Sequence, residues 1–355
     1  MSSRGLGLAV QDDARRSMRF AQAKFRPQAV PVTVVTRSAL QDRLTAGAGQ
    51  RLTIVTGTAG TGKSVLLSSW AAARPPETTA WLSCDPADAD PVRFWTAFIE
   101  AFQPMAPGFG ADAAGLLRGG AARLADVAAS IARDARKLPA GSAIVVDDFH
   151  YVTVTRDLAD LARCWPARTA QLVLSSRIDP PLRLHRLRMT GGLCELRDGD
   201  LALSLDESRD LLANLRVRVG PAELAMLHQC TEGWAAALQM VALSLRGTRD
   251  TALAARALDI HSYPIAEYFI SQVLDQQPPE VARFMLDTSA LEELTAHACA
   301  AVTGRHDAAV LLHGIDAASL FLVALDKERT TFRYQPLVHQ ALRAKLRTGG
   351  PAQAV

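Results

Sequence analysis

Residues Gly57-Thr58-Ala59-Gly60-Thr61-Gly62-Lys63-Ser64 spell G-x-x-x-x-G-K-[ST], a spacing that few folds can accommodate. Glycines let successive backbone N–H groups turn inward on phosphate oxygens, and a following helix adds its positive N-terminus. In a chain of 355 residues a chance match is on the order of one in a hundred at ordinary glycine usage. Context separates this reading from a plain Gly-rich turn. Leu52 to Thr56 reads as a short buried strand before the motif, and Ser64 to Ala73 as a helix after it. The run Gly57, Thr58, Ala59, Gly60, Thr61, Gly62 is therefore expected to cradle phosphates. Lys63 would reach the β- and γ-phosphates, and the Ser64 hydroxyl would ligate Mg²⁺.

Such a loop needs a parallel sheet behind it, and the chain supplies one. Thr79 to Ser83, Ala143 to Val146, Leu172 to Leu174 and Cys194 to Leu196 are further strand candidates with helical stretches between them. Strands apolar throughout, rather than alternating, indicate a sheet covered on both faces, as in an α/β P-loop NTPase. Pro91 opens a helix carrying Phe94, Trp95 and Phe98 on one side, residues 105–120 read as a loop, and Ala121 to Lys137 as a second amphipathic helix.

In parallel sheets ligands sit beyond the carboxyl ends of the strands. Asp147 and Asp148 stand at such an end, so Asp147 is expected to hold Mg²⁺ and Asp148 to orient the attacking water. Alone, the pair could equally cap a strand; behind a phosphate loop it reads as the acidic partner of the site. Arg177 closes the next strand and would sense the γ-phosphate or stabilise transferred charge, the alternative being an ion pair with Asp179 or Asp148. No Asn-Lys-x-Asp signature for guanine is present, so adenine is the expected base, as ATP or ADP.

After about residue 200 the pattern becomes helical. Ser204 and Glu207 form a capping box opening Glu207 to Leu215, and Pro221 to Gln229, Trp234 to Leu245, Ile265 to Leu274, Pro279 to Leu286 and Ala296 to Val302 show helical spacing. Phe321 to Leu325 and Thr331 to Tyr334 read as a hairpin around the polar turn Asp326 to Thr330, with a last helix Pro336 to Leu346; that succession suggests a winged helix. Trp234, after Thr231-Glu232-Gly233, reads as core packing. The basic stretch Arg183, His185, Arg186, Arg188 reads as a solvated helix face rather than a nucleic-acid surface. Other histidines, His150 among them, are scattered without metal-ligand spacing.

Composition excludes several classes. With 49% apolar and 21% charged residues the chain is globular, and 39 basic against 36 acidic residues leave +3, too even for a dedicated polyanion binder. Five dispersed cysteines without a C-x-x-C pair read as reduced buried thiols, and no apolar stretch reaches the roughly 18 residues of a membrane span, so a cytoplasmic chain is expected.

The ordered set of blocks resembles the ATPase region of MalT-type regulators, signal-transduction ATPases with numerous domains. It comprises Lys24-Phe25-Arg26-Pro27, Arg37 with Leu40 and Leu44, the phosphate loop, Trp81-Leu82-Ser83 and Asp90-Pro91-Val92-Arg93-Phe94-Trp95. Asp147-Asp148-Phe149-His150, Ser176-Arg177, Thr231-Glu232-Gly233-Trp234, Gln277-Pro278-Pro279-Glu280-Val281 and Phe332-Arg333-Tyr334-Gln335-Pro336-Leu337 follow in order. The resemblance implies a tail at 1–23, a nucleotide-binding domain at 24–200, a helical domain at 201–275, a winged helix at 276–347 that closes over ADP, and a tail at 348–355. It also places the Arg37 region near the adenine.

By the same resemblance the function is a switch that ADP holds closed, that self-associates with ATP, and that slow hydrolysis resets. Members usually carry His where this chain has Gln335, with His339 four residues on as a substitute candidate. The sensor repeats and the helix-turn-helix of such regulators are not among these residues, so no direct DNA-binding motif is expected here. Two other classes fit the motifs: a non-catalytic module that nucleotide merely stabilises, and an AAA+ remodelling ATPase.

Overall fold

The computed structural model describes residues 20–75, 77–119, 123–167, 169–182, 184–245, 274, 277–317, 322–326 and 328–348. Five parallel strands form the central sheet: β1 (Leu52–Thr56), β2 (Thr79–Ser83), β3 (Ser142–Asp147), β4 (Ala170–Ser176) and β5 (Leu193–Leu196), in the order β2-β3-β4-β1-β5. The strand carrying the phosphate loop is thus separated from the strand carrying the acids by β4, with Val55 beside Ser175 and Val146 beside Leu174.

The strands are apolar throughout because each side of the pleat enters a different core. Leu52, Ile54, Ile144, Val146, Leu172 and Leu174 join Phe94, Trp95 and Phe98 of the helix Pro91–Ala101 and Ile131 of the helix Leu124–Ala135. Val55, Val145 and Val173 point the other way, onto Leu66, Leu67 and Trp70 of the helix Lys63–Ala72 and onto Leu40 and Leu44 of the helix Ser38–Ala46. The expected helices on both faces are present.

Two expectations need correction. Residues 105–120 are not all loop: a helix runs from Ala111 to Gly119, because Gly108 and Gly110, both at positive φ, turn the chain and the alanine-rich segment after them is free to coil. Nor are all the thiols buried. Cys84 and Cys299 are, Cys194 and Cys230 are half-buried, and Cys164, last residue of the helix Arg156–Cys164, is exposed.

Beyond β5 a short turn, Asp198–Leu201, leads into helices Leu205–Asn214, Pro221–Thr231 and Ala235–Leu245, which share a core of Leu212, Leu227, Leu238 and Val241. The capping box is as expected: Glu207 N–H donates to Ser204 Oγ at 3.1 Å, and Ser204 N–H to the Glu207 carboxylate at 2.8 Å. Of the helical stretch expected from Ile265 to Leu274, residues 265–273 lie outside the described residues.

The last unit places helices Pro279–Thr288, Ala296–Thr303, Ala308–Ala317 and Pro336–Thr348 around a small antiparallel sheet ordered β6 (Leu294–Thr295), β8 (Thr331–Tyr334), β7 (Leu322–Ala324). Phe284, Phe332, Val338 and Leu342 fill its core, as a winged helix requires. Among the described residues no helix is long and apolar enough to cross a membrane.

Candidate functional site

The loop Gly57 to Gly62 leaves β1 and enters its helix at Lys63. Gly60 (φ +78°) and Gly62 (φ +88°) adopt left-handed backbone that other residues take at a cost, and the space at Gly60 is also closed. A Cβ there would stand 2.6 Å from Ala236 Cβ and 2.9 Å from Trp234 Nε1. Lys63 is buried and donates to the Gly57 carbonyl at 2.5 Å and the Thr58 carbonyl at 2.8 Å. Burial lowers its pKa to about 8, Arg177 acting in the same direction against Asp198, Asp148 and Asp147.

Asp147 ends β3, 1% exposed, and burial together with the charge of Asp148 raises its pKa. The Ser64 and Ser175 hydroxyls both lie against this carboxylate and hold its pKa down against the burial. A hard cation takes oxygen ligands, and its charge would favour the ionised form that burial disfavours, so a buried carboxylate flanked by two hydroxyls fits Mg²⁺.

Asp148 follows in left-handed backbone at φ 54°, ψ 39°, donating its N–H to Asp147 at 3.1 Å. A non-glycine residue held there marks a site where the surroundings impose the geometry. His150 Nδ1 lies 3.8 Å from Asp148 Oδ1, and burial, then Arg177 and Lys63, push its pKa down to about 4. Its imidazole is therefore neutral at pH 7. Arg177, at the exit of β4, has no hydrogen-bond or ion-pair partner among the described residues. The alternative pairings fail: Asp179 is taken by Arg197 at 2.9 Å, and Asp148 faces His150. Lys63, Ser64, Asp147, Asp148 and Arg177 thus converge at one end of the sheet.

On the other side of the loop a cleft of about 300 Å³ opens between Val34 and Val35 of the N-terminal strap, Val65 of the loop helix, and Leu203 and Ala236 of the helical unit. Its walls are mostly apolar, as a planar base requires. Arg37 borders this cleft, but its guanidinium is committed elsewhere. It pairs with Glu207 at 3.1 Å and donates to the carbonyls of Leu201 at 2.5 Å and Ala202 at 2.9 Å. It ties the strap to the exit of β5 rather than reaching into the cleft.

Several residues escape a reading of the sequence. Asp198 accepts the Thr58 N–H at 2.8 Å, and nothing in its local sequence announces it. His150 is visible two residues after the acid pair, but its spacing suits no metal and carries no other signal. Trp234 is packed in the winged-helix core as expected, and in addition its indole N–H donates to the Ala59 carbonyl at 3.0 Å. His339 Nε2 lies 2.8 Å from the Ser289 carbonyl within the winged helix, and Gln335 Oε1 is buried without a hydrogen-bond partner among the described residues. Arg188 pairs with Glu195 at 2.7 Å, in keeping with a solvated face. No group of three or more potential metal-ligating His, Cys, Asp or Glu side chains occurs among the described residues.

Comparison with known proteins agrees with this architecture. A family model for the AAA domain matches residues 46–179, and one for the MalT winged helix domain matches residues 270–354. The chain is 30% identical over 335 residues to the serine/threonine-protein kinase PknK of Mycobacterium tuberculosis, covering 92% of this chain and 30% of PknK. It is 29% identical over 327 residues to the HTH-type transcriptional regulator MalT of Cronobacter sakazakii, covering 90% and 36%. The chain spans about a third of the length of these curated relatives. Among solved structures, the Walker-type ATPase PABY2304 of Pyrococcus abyssi matches with a TM-score of 0.60 over 90% of this chain and 98% of that one, at 15% identity, a likeness of fold.

Proposed function

From a chain that joins an AAA domain to a MalT winged helix domain and is MalT-like in sequence across both, we propose a nucleotide-operated signalling switch. The observation that carries it is the convergence of Lys63, Ser64, Asp147, Asp148 and Arg177 beside an apolar cleft. Relatives named for different outputs, a kinase and a transcriptional regulator, share this region. A part common to both is better read as a control element than as an output.

In this reading the base of ATP or ADP enters the cleft and the phosphates lie on the loop. Lys63 meets the β- and γ-phosphates; Ser64 and Asp147 would hold Mg²⁺, which supplies charge neutralisation to the phosphate oxygens. Asp148 orients a water for in-line attack, and Arg177 stabilises the γ-phosphoryl charge. Hydrolysis is slow and resets the switch; ADP favours the closed arrangement of the three units, and ATP favours self-association.

The test is nucleotide binding and phosphate release by the purified chain over hours, with light scattering in ATP and in ADP. Binding lost in Lys63→Ala, with slow release and larger particles in ATP, is the expected result. Unchanged ATP affinity in Lys63→Ala overturns the proposal. Bound nucleotide with no phosphate release replaces the switch by a module that nucleotide merely stabilises.

A further inference from the structure

The turn after the helix Pro221–Thr231 is built against the backbone's own preferences. Glu232 sits in left-handed backbone (φ 49°, ψ 33°), and Gly233 (φ +73°) has a carbonyl oxygen for a neighbour where a Cβ would go, Leu203 O at 2.3 Å. Left-handed conformation in a non-glycine residue costs about 1 kcal/mol or more, so something must hold it. The Leu203 N–H on the Gly233 carbonyl and the Trp234 N–H on the Thr231 carbonyl, both at 2.9 Å, fasten the backbone, and Arg333 of β8 fastens the side chain, its Nη2 lying 2.5 Å from Glu232 Oε1. One residue past this turn, Trp234 is 4% exposed and packed among winged-helix core residues, while its Nε1 caps the Ala59 carbonyl. Ala236 N–H caps the next carbonyl of the loop, Gly60 O, at 3.1 Å.

We infer that this turn is the element through which the winged helix holds the phosphate loop, with Trp234 a positioning residue of the nucleotide site and the Arg333–Glu232 pair the tie that keeps it in place. The inference rests on the reading that the loop binds nucleotide, and adds a control that touches no part of the ligand. Two consecutive loop carbonyls face Trp234 and Ala236, so the loop cannot rearrange to release phosphates unless the turn withdraws. The turn withdraws when the winged helix lets go of Glu232.

The experiment uses the full chain and N-methylanthraniloyl-ADP, displaced by excess ADP in a stopped-flow instrument. Trp234→Phe keeps a ring in the core but loses the donor; Arg333→Ala cuts the half-exposed tie. Each is expected to speed release about fivefold, the equivalent of one hydrogen bond, with the association rate unchanged. The double variant should be no faster than the faster single one, since both act on one contact. Exchanging the charges, Glu232→Arg with Arg333→Glu, should restore slow release. Unchanged release in Arg333→Ala, with the melting temperature intact, overturns the inference, as do effects that multiply in the double variant. A wild-type chain that binds no labelled ADP overturns both this inference and the reading beneath it.

Discussion

Asp198 and Thr58 are 140 residues apart in sequence and 2.8 Å apart in space, the carboxylate of the first accepting the backbone N–H of the second. An acid at the exit of the sheet is thereby bonded into the phosphate loop, and its charge is the largest influence opposing the burial of Lys63. In the free protein Lys63 loses its proton near pH 8, whereas phosphate favours the protonated form, so nucleotide affinity is expected to fall as pH rises beyond about 8. Asp198→Asn keeps an acceptor for Thr58 but removes the charge, lowering the Lys63 pKa further. Titrating ATP affinity against pH should show the fall displaced to lower pH in that variant; superimposable profiles would disprove the coupling.

Asp148→Asn should separate binding from turnover. Asn tolerates left-handed backbone nearly as well as Asp, so the turn at φ 54° persists while the carboxylate is lost. Phosphate release is expected to drop by about 100-fold or more, with ATP affinity within about twofold of wild type. Equal turnover in a single-turnover assay would take the water-orienting role from Asp148.

For His150 the pKa is depressed from 6.5 to about 4, by burial first and then by Arg177 and Lys63. Between those values the unfolded chain binds a proton that the folded chain refuses, so this residue withdraws stability as pH falls from 6.5 toward 4. His150→Gln has no proton to bind in this range. Its melting temperature should decline less steeply over this window in thermal scans; parallel curves would show that the imidazole is protonated normally in the fold.

Gly60→Ala meets two obstacles at once, φ +78° and a Cβ position 2.6 Å from Ala236. Loss of at least about 1 kcal/mol in chemical denaturation is expected, together with weakened ADP binding, because relief requires the loop and the helical unit to part. Gly62→Ala shares the positive φ but has nothing within 4 Å, so comparing the two variants isolates the contact from the backbone strain.

The parts of the site legible in the sequence are those whose chemistry is contiguous. The phosphate loop, the acids at the end of β3 and the arginine at the end of β4 each follow an apolar run that the chain must bury, so strand and functional end are read together. The capping box at Ser204 and Glu207 is equally local, spanning one turn of helix. What stayed hidden depends on pairing at a distance. Trp234 meets Ala59 across 175 residues, and a tryptophan bound for a core looks the same whether or not its N–H has a partner. The helix Ala111–Gly119 is obscured by Gly108 and Gly110 before it and Gly115 and Gly119 within it, which lower an otherwise good helical propensity, and packing against the helix Leu124–Ala135 decides the outcome. The resemblance places the Arg37 region near the adenine; only the fold reveals that Glu207 and three carbonyls, of Asp200, Leu201 and Ala202, take its donors.

The strap from Lys24 to Arg37 limits how the chain can be cut into working fragments. Its start is fastened to the sheet unit by Lys24, 2.6 Å from Asp85 and 2.5 Å from Asp88, the latter wholly buried. Its end is fastened to the helical unit by Arg37 on Glu207 and by Asn214 on the Thr33 carbonyl at 3.4 Å. An expression fragment begun at β1 would take Lys24 from Asp88 and leave the buried carboxylate only the Asp85 N–H at 2.8 Å and Arg93 at 3.4 Å, a loss of about 3 kcal/mol. One ended at β5 would strip Arg37 of its acceptors. A piece suitable for biochemistry therefore has to run from before Lys24 to beyond Gln239, so that it keeps Glu207 and Asn214 on the strap, Trp234 and Ala236 on the phosphate loop and the wall of the cleft, and the boundary at residue 200 that the resemblance implies would cut through a knot of hydrogen bonds.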